Sequence, residues 1–175
     1  MSDSALSCVR TLACCVKDAK NGKVANAAMT ALGKAVGGGG TRRRELIAPH
    51  VGEVVLACLR KRDDEERGEA SRDLMWRFLR VANSEHLVSN IREIIAVPGS
   101  MEFLYSFIVE RSEREASVYV LSSGEGRVEE VNVFSVLVQA MEVLDWEEDL
   151  SGVEVKVLQM FVSRSTMQER MIRKR

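Results

Sequence analysis

The sequence predicts an all-α fold of about nine short helices joined by short loops. Three observations carry that expectation. The chain is rich in Ala, Leu, Val, Glu and Arg, with aromatic residues at 5 % and two prolines, Pro49 and Pro98. That composition favours helices over strands. Apolar residues recur at helical spacing along most of the chain. Finally, residues 41–83 read as two amphipathic helices back to back, and an earlier stretch repeats them.

The 175 residues suffice for one core or a short run of repeats. Apolar residues at 46 % and charged residues at 29 % exclude global disorder. A formal net charge of −1 gives no global case for nucleic acid, but the charge is unevenly spread. Residues 1–82 carry 15 basic against 10 acidic side chains, net +5; residues 83–163 carry 5 against 15, net −10; residues 164–175 carry 5 against 1, net +4. Such asymmetry speaks of partners and not of fold. Cys8, Cys14, Cys15 and Cys58 form no C-x-x-C pair, so they read as small hydrophobes in a reducing compartment. No apolar stretch is long enough to span a membrane. Asp3 and Arg10 interrupt any secretory signal. A cytoplasmic protein is expected, with the nucleus as the alternative.

In chain order, residues 4–17 place Leu6, Val9, Leu12 (or Ala13) and Val16 on one helical face, and Lys20-Asn21-Gly22 supplies a turn. Residues 23–36 put Val24, Ala27, Ala28, Ala31, Leu32, Ala35 and Val36 on one face of a second helix. Gly37 to Gly40 end it. Without a following G-K-[S/T] or a preceding strand, this run reads as a loop and not a phosphate cradle. A third helix over 44–61 holds Pro49 in its first turn or at a kink, with Ile47, Val51, Val54 (or Val55), Cys58 and Leu59 inward. Asp63-x-x-Glu66 resembles a capping box for a helix over 64–82, whose inner face is Ala70, Leu74, Met75, Phe78, Leu79 and Val81 or Ala82.

Helices follow at 86–97 and 98–110, the latter with Pro98 in its first turn. Ser112-x-x-Glu115 opens a short helix to about Ser122, and Ser123–Gly126 breaks the chain. Residues 128–145 are apolar nearly all round, as a central buried helix would be. Ser151-x-x-Glu154 is a capping box for a helix running through Phe161 and towards the end.

Shifted by 43 residues, the first pair superposes on the second. Ala5 falls on Ala48, Cys8 on Val51, Leu12 on Val55, Cys15 on Cys58 and Val16 on Leu59; then Ala27 falls on Ala70, Ala31 on Leu74, Leu32 on Met75, Ala35 on Phe78 and Val36 on Leu79. Repeat arrays of two or three helices have such a period. The segments ALGKAV (31–36) and LMWRFL (74–79), each four residues past the shared alanine, resemble the last-helix signature of armadillo repeats, roughly A-L-x-N-L/I. The resemblance implies a right-handed α-α superhelix of armadillo/HEAT type; a VHS/ENTH-like superhelix is the alternative. In the armadillo family the asparagine lines a groove for extended peptides. Here Lys34 and Arg77 stand at that position, and Thr30 and Asp73 replace the family's upstream tryptophan. Acidic or phosphorylated segments are therefore the expected ligands, rather than basic nuclear-localisation signals. The expected layout is a repeat domain over 1–163, with units near 4–40, 41–83, 84–126 and 127–163, followed by a basic tail over 164–175.

Arg72, Trp76 and Arg80 fall in line at i, i+4 and i+8, where a tryptophan between guanidiniums could hold an aromatic, a base or a phosphate. The competing reading packs Trp76 against the neighbouring repeat. Arg42, Arg43 and Arg44 precede the third helix, and Arg60-Lys61-Arg62 end it, where cations also complement the helix dipole. Glu129, Glu130, Glu147, Glu148 and Asp149 form an acidic surface that suits a basic partner or another copy. His50 and His86 stand alone, with no metal-ligand or catalytic spacing. No catalytic residue, metal site or cofactor is therefore expected. The sequence reads as a non-catalytic protein–protein interaction scaffold or adaptor. Binding of RNA or a phospho-ligand is the alternative, and a self-assembling subunit of a larger complex is the third reading.

Overall fold

A computed structural model describes residues 3–18, 20–37, 48–65, 67–119 and 132–173. Among them every regular element is helical: α1 (Asp3–Asp18), α2 (Gly22–Gly37), a 3-10 turn (Ala48–His50) leading into α3 (Val51–Arg60), α4 (Gly68–Leu79), α5 (Glu85–Val88), α6 (Ile91–Ala96), α7 (Ser100–Tyr119), α8 (Val133–Met141) and α9 (Gly152–Arg173). The fold is all-α, as the composition and periodicity predict. The chain divides into two compact units, Met1–Val97 and Pro98–Arg175. The break falls at Pro98-Gly99, where Gly99 takes a left-handed φ of 66° that other residues rarely adopt. The last helix, α9, runs through position 164 to Arg173.

In the first unit α1 packs against α2 and α3 against α4, forming two helical hairpins. Between the hairpins α1 lies on α3 and α2 on α4, so each helix meets its counterpart 43 residues along. Contacts with α1, α4, α5 and α6 surround α3, and Val51, Val54, Val55, Cys58 and Leu59 are wholly buried. Pro49 sits in the 3-10 turn, before the helix needs its amide. Gly52 lets α3 close on the next segment: a Cβ there would stand 2.5 Å from Asn90 Oδ1 and 3.0 Å from the His86 carbonyl oxygen.

The faces of the small-residue helix differ from expectation. On α2 the buried residues are Ala25, Ala28, Met29, Leu32 and Gly33, while Ala27 and Ala31 are exposed and Val24 is 46 % exposed. Lys23, Asn26, Thr30 and Lys34 line one side of α2 and are all exposed, so the buried face is the one opposite them, against α1 and α4. The shared alanine, Ala27 and Ala70, is exposed in both hairpins. In the second helix of each hairpin the pairs buried at the 43-residue shift include the expected Leu32 with Met75, and otherwise Ala25 with Gly68, Ala28 with Ser71 and Gly33 with Trp76.

Helix boundaries shift where a turn intervenes. The fourth helix starts at Gly68 and not at 64, because Asp64 shapes the turn before it: its carboxylate accepts from the Arg67 amide at 3.1 Å and its carbonyl from the Gly68 amide at 2.7 Å. The expected helix over 86–97 is broken into α5 and α6 at Ser89-Asn90. The expected helices over 98–110 and 112–122 are one, α7, which passes through Ser112 without a break. Isolated serine is a poor helix breaker when the flanking turns are already formed.

In the second unit α9 packs on both α7 and α8. Phe134 and Phe161 meet edge-on at 5.5 Å, and Tyr105 tilts against both, an arrangement that ring quadrupoles favour. Asn132 caps α8 by accepting from the Ser135 amide at 3.1 Å, and its amide group donates to the Ser165 carbonyl at 3.2 Å. The Ser151–Glu154 capping box forms as its spacing predicts: the Ser151 amide donates to Glu154 Oε2 at 2.7 Å, and the Glu154 amide donates to Ser151 Oγ at 3.3 Å.

Candidate partner-binding surface

The candidate surface of the first unit lies where α2 meets α4. Its centre is Gly33, which is buried. Arg77 of α4 lies across α2 at this point: its Nη1 and Cδ stand 3.9 and 4.0 Å from where a Cβ of residue 33 would sit, ordinary contact distances. Arg77 Nη1 donates to the Gly33 carbonyl at 3.4 Å, and the Arg77 residue stays exposed. Lys34, also exposed, is the next residue along α2. Two exposed residues aligned in sequence by a 43-residue shift thus lie on neighbouring helices, with Arg77 reaching the residue before Lys34. A single hydrogen bond leaves Arg77 with further donors for a carboxylate or phosphate.

The other basic residues of that set are placed differently. Arg72 is half-buried and donates through Nη1 to the Arg62 carbonyl at 3.4 Å, closing the α3–α4 turn. Trp76 is 8 % exposed and belongs to the core, so its ring offers no platform to a ligand. Arg80 is half-buried at the C-terminal cap of α4. Arg42, Arg43 and Arg44 lie outside the described residues.

At the end of α3, Arg62 donates to the Leu59 carbonyl at 3.2 Å and pairs with Asp63 at 3.3 Å. Arg60 pairs with Glu93 at 3.4 Å. Arg62 therefore serves the helix end, while Arg60 ties α3 to α6. Arg67, absent from the sequence reading, pairs with Asp64 at 2.9 Å. The i, i+3 spacing of those two residues was the available signal.

The acidic surface of the second unit centres on the α8–α9 turn. Glu147 and Glu148 are exposed, while Asp149 is half-buried and accepts from the Asp145 amide at 2.9 Å. Asp145 organises the turn in return, its carboxylate accepting from the Glu147 and Glu148 amides at 3.0 and 3.4 Å. Asp145 was missed in sequence, although an aspartate two residues before a turn amide is a usual turn former. Glu129 and Glu130 lie outside the described residues.

The lone histidines have local roles. His86 and Asn83 bond reciprocally: the His86 amide donates to Asn83 Oδ1 at 3.0 Å, and the Asn83 amide donates to His86 Nδ1 at 3.4 Å. Partial burial lowers the His86 pKa, with neighbouring Glu85 acting the other way. His50 Nδ1 lies 3.5 Å from Glu53 Oε2. Among the described residues, no group of three or more His, Cys, Asp or Glu could hold a metal, and no helix is long and apolar enough to cross a membrane. No protein-family model, curated protein or solved structure matches the chain.

Proposed function

We propose that the chain is a non-catalytic interaction scaffold whose first unit is a short helical repeat of armadillo/HEAT type, holding an acidic partner segment on the α2–α4 ridge. One observation supports this reading: stacked hairpins lay the exposed Arg77 across α2 at Gly33, one residue from the exposed Lys34. Stacking like on like is how helical repeats build extended binding faces. Arg77 supplies a planar fork for a carboxylate and Lys34 a compact charge beside it.

The test begins with co-purification on the tagged full chain and mass spectrometry of bound protein and nucleic acid. Lys34→Glu combined with Arg77→Glu is then compared with the parent. Loss of about tenfold or more in affinity for an acidic partner, with helical content unchanged, is the expected outcome. An affinity untouched by the double change for every captured partner removes this surface from consideration. Captured RNA with steeply salt-dependent binding would favour the phosphate-binding reading. The pairing of Arg60, Arg62 and Arg67 with carboxylates and the Arg72 contact with a backbone carbonyl favour the protein partner.

A further inference from the structure

Val153, Met160 and Met167 of α9 are 59 %, 45 % and 54 % exposed. Seven residues make nearly two helical turns, so the three form one line, about 21 Å long at 1.5 Å per residue. The helix already has a core face, made by Val157, Leu158 and Phe161; the exposed line runs beside it. Charge is distributed along the helix with a polarity. The Asp145–Asp149 turn, carrying four carboxylates around Trp146, precedes the N-terminus. Arg170 and Arg173 lie in the last turns.

We propose that this line is the seam of a two-fold homodimer, in which α9 of one copy pairs antiparallel with α9 of a second copy, centred on Met160. In that register Met160 meets its own counterpart, and Val153 meets Met167 of the second copy. Positions 170 and 173 lie about 15 and 20 Å from the centre at 1.5 Å per residue. Ser151 lies about 14 Å away on the other side, with the acidic turn just beyond it. Each basic helix end therefore falls on the acidic turn of the other copy, twice over by symmetry. A surface that complements itself about a two-fold is what an isologous dimer requires. A parallel pairing would set acid against acid and base against base.

One pair opposes the association. Lys156 is exposed beside the line and falls opposite Arg164 of the second copy, whose charge is partly answered within its own chain by Glu113 at 3.6 Å. Three apolar side chains per copy make a small interface, so dimerisation depends on concentration and weakens with salt. This seam is independent of the α2–α4 ridge and shares no residue with it.

Sedimentation of the full chain across concentration and salt tests the proposal. A monomer–dimer equilibrium favoured at low salt is expected. Met160→Glu sets two carboxylates face to face and weakens it on the order of a hundredfold, whereas Met160→Leu retains it. Lys156→Glu turns the opposing pair into an attractive one and tightens the dimer several-fold. Under mild oxidation Met160→Cys gives a 160–160 disulfide in the peptide map. Val153→Cys combined with Met167→Cys gives a 153–167 link between copies. A mass that stays monomeric at the highest soluble concentration and low salt overturns the proposal. So does a dimer that Met160→Glu leaves intact, or one that links 153 to 153.

Discussion

Two glycines show how single positions are decided by their surroundings. A Cβ on Gly68 would stand 2.5 Å from the Arg62 backbone oxygen, a contact that only a backbone shift relieves. Gly68→Ala should destabilise the protein by about 1–3 kcal/mol, read as a lower urea midpoint. Gly33 is different: a Cβ there meets Leu74 Cδ1 at 3.8 Å and the Arg77 side chain no closer, which is ordinary contact. Gly33→Ala should stabilise by about 0.5–1 kcal/mol through helix propensity alone. Cysteine reactivity follows burial in the same way. Cys58 is wholly buried, and that burial pushes its thiol from the ordinary 9.0 up to about 12, with Lys61 acting weakly in the opposite sense. Cys8 and Cys14 are exposed. Iodoacetamide at pH 8 should label Cys8 and Cys14 and spare Cys58, as peptide mapping will report. Between pH 9 and about 12 the folded chain holds the Cys58 proton that the unfolded chain has released, so stability falls as pH rises through that window.

At the scale of the element, local hydrogen bonds set the helix starts. The Ser151–Glu154 box satisfies two amides at the head of α9. Ser151→Ala should cost about 1 kcal/mol, measured as a shift in the unfolding midpoint. Asn132 does more than cap, because its side chain also reaches the Ser165 carbonyl on α9. Asn132→Asp keeps the acceptor for Ser135 and loses the donor to Ser165. It should therefore weaken α8–α9 packing by about 1–2 kcal/mol, while Asn132→Ala loses both bonds and costs more. Of these two caps, the serine box was legible, since S-x-x-E is a contact within three residues. The Asn132 link to α9 spans 33 positions and has no sequence signature.

For the molecule as a whole, charge separates with the units. Met1–Val97 carries 16 basic against 12 acidic residues, net +4, and Pro98–Arg175 carries 9 against 14, net −5. Binding of an acidic peptide at Lys34 and Arg77 should therefore weaken steadily between about 0.05 and 0.5 M salt, as screening shortens the reach of exposed charges. Isothermal titration would report it. Glu147→Gln with Glu148→Gln should leave that affinity unchanged, because neither residue belongs to α2 or α4. Peptide affinity that ignores salt would point away from the cationic ridge.

By itself the sequence determined the helical class, the core stripe of α3 from Val51 to Leu59 and the capping box of α9. All of these depend on composition, on the 3.6-residue period, or on groups three or four positions apart, and such contacts form wherever the chain is helical. The tertiary structure alone decided which helices cover α2, why Trp76 lies in the core while Arg77 remains outside, and where the chain divides into units. The pattern within one helix marks a polar side, Lys23, Asn26, Thr30 and Lys34 on α2, but does not say which helices will lie against the other. Arg77 reaches the Gly33 carbonyl, 44 positions earlier, only because α4 packs on α2.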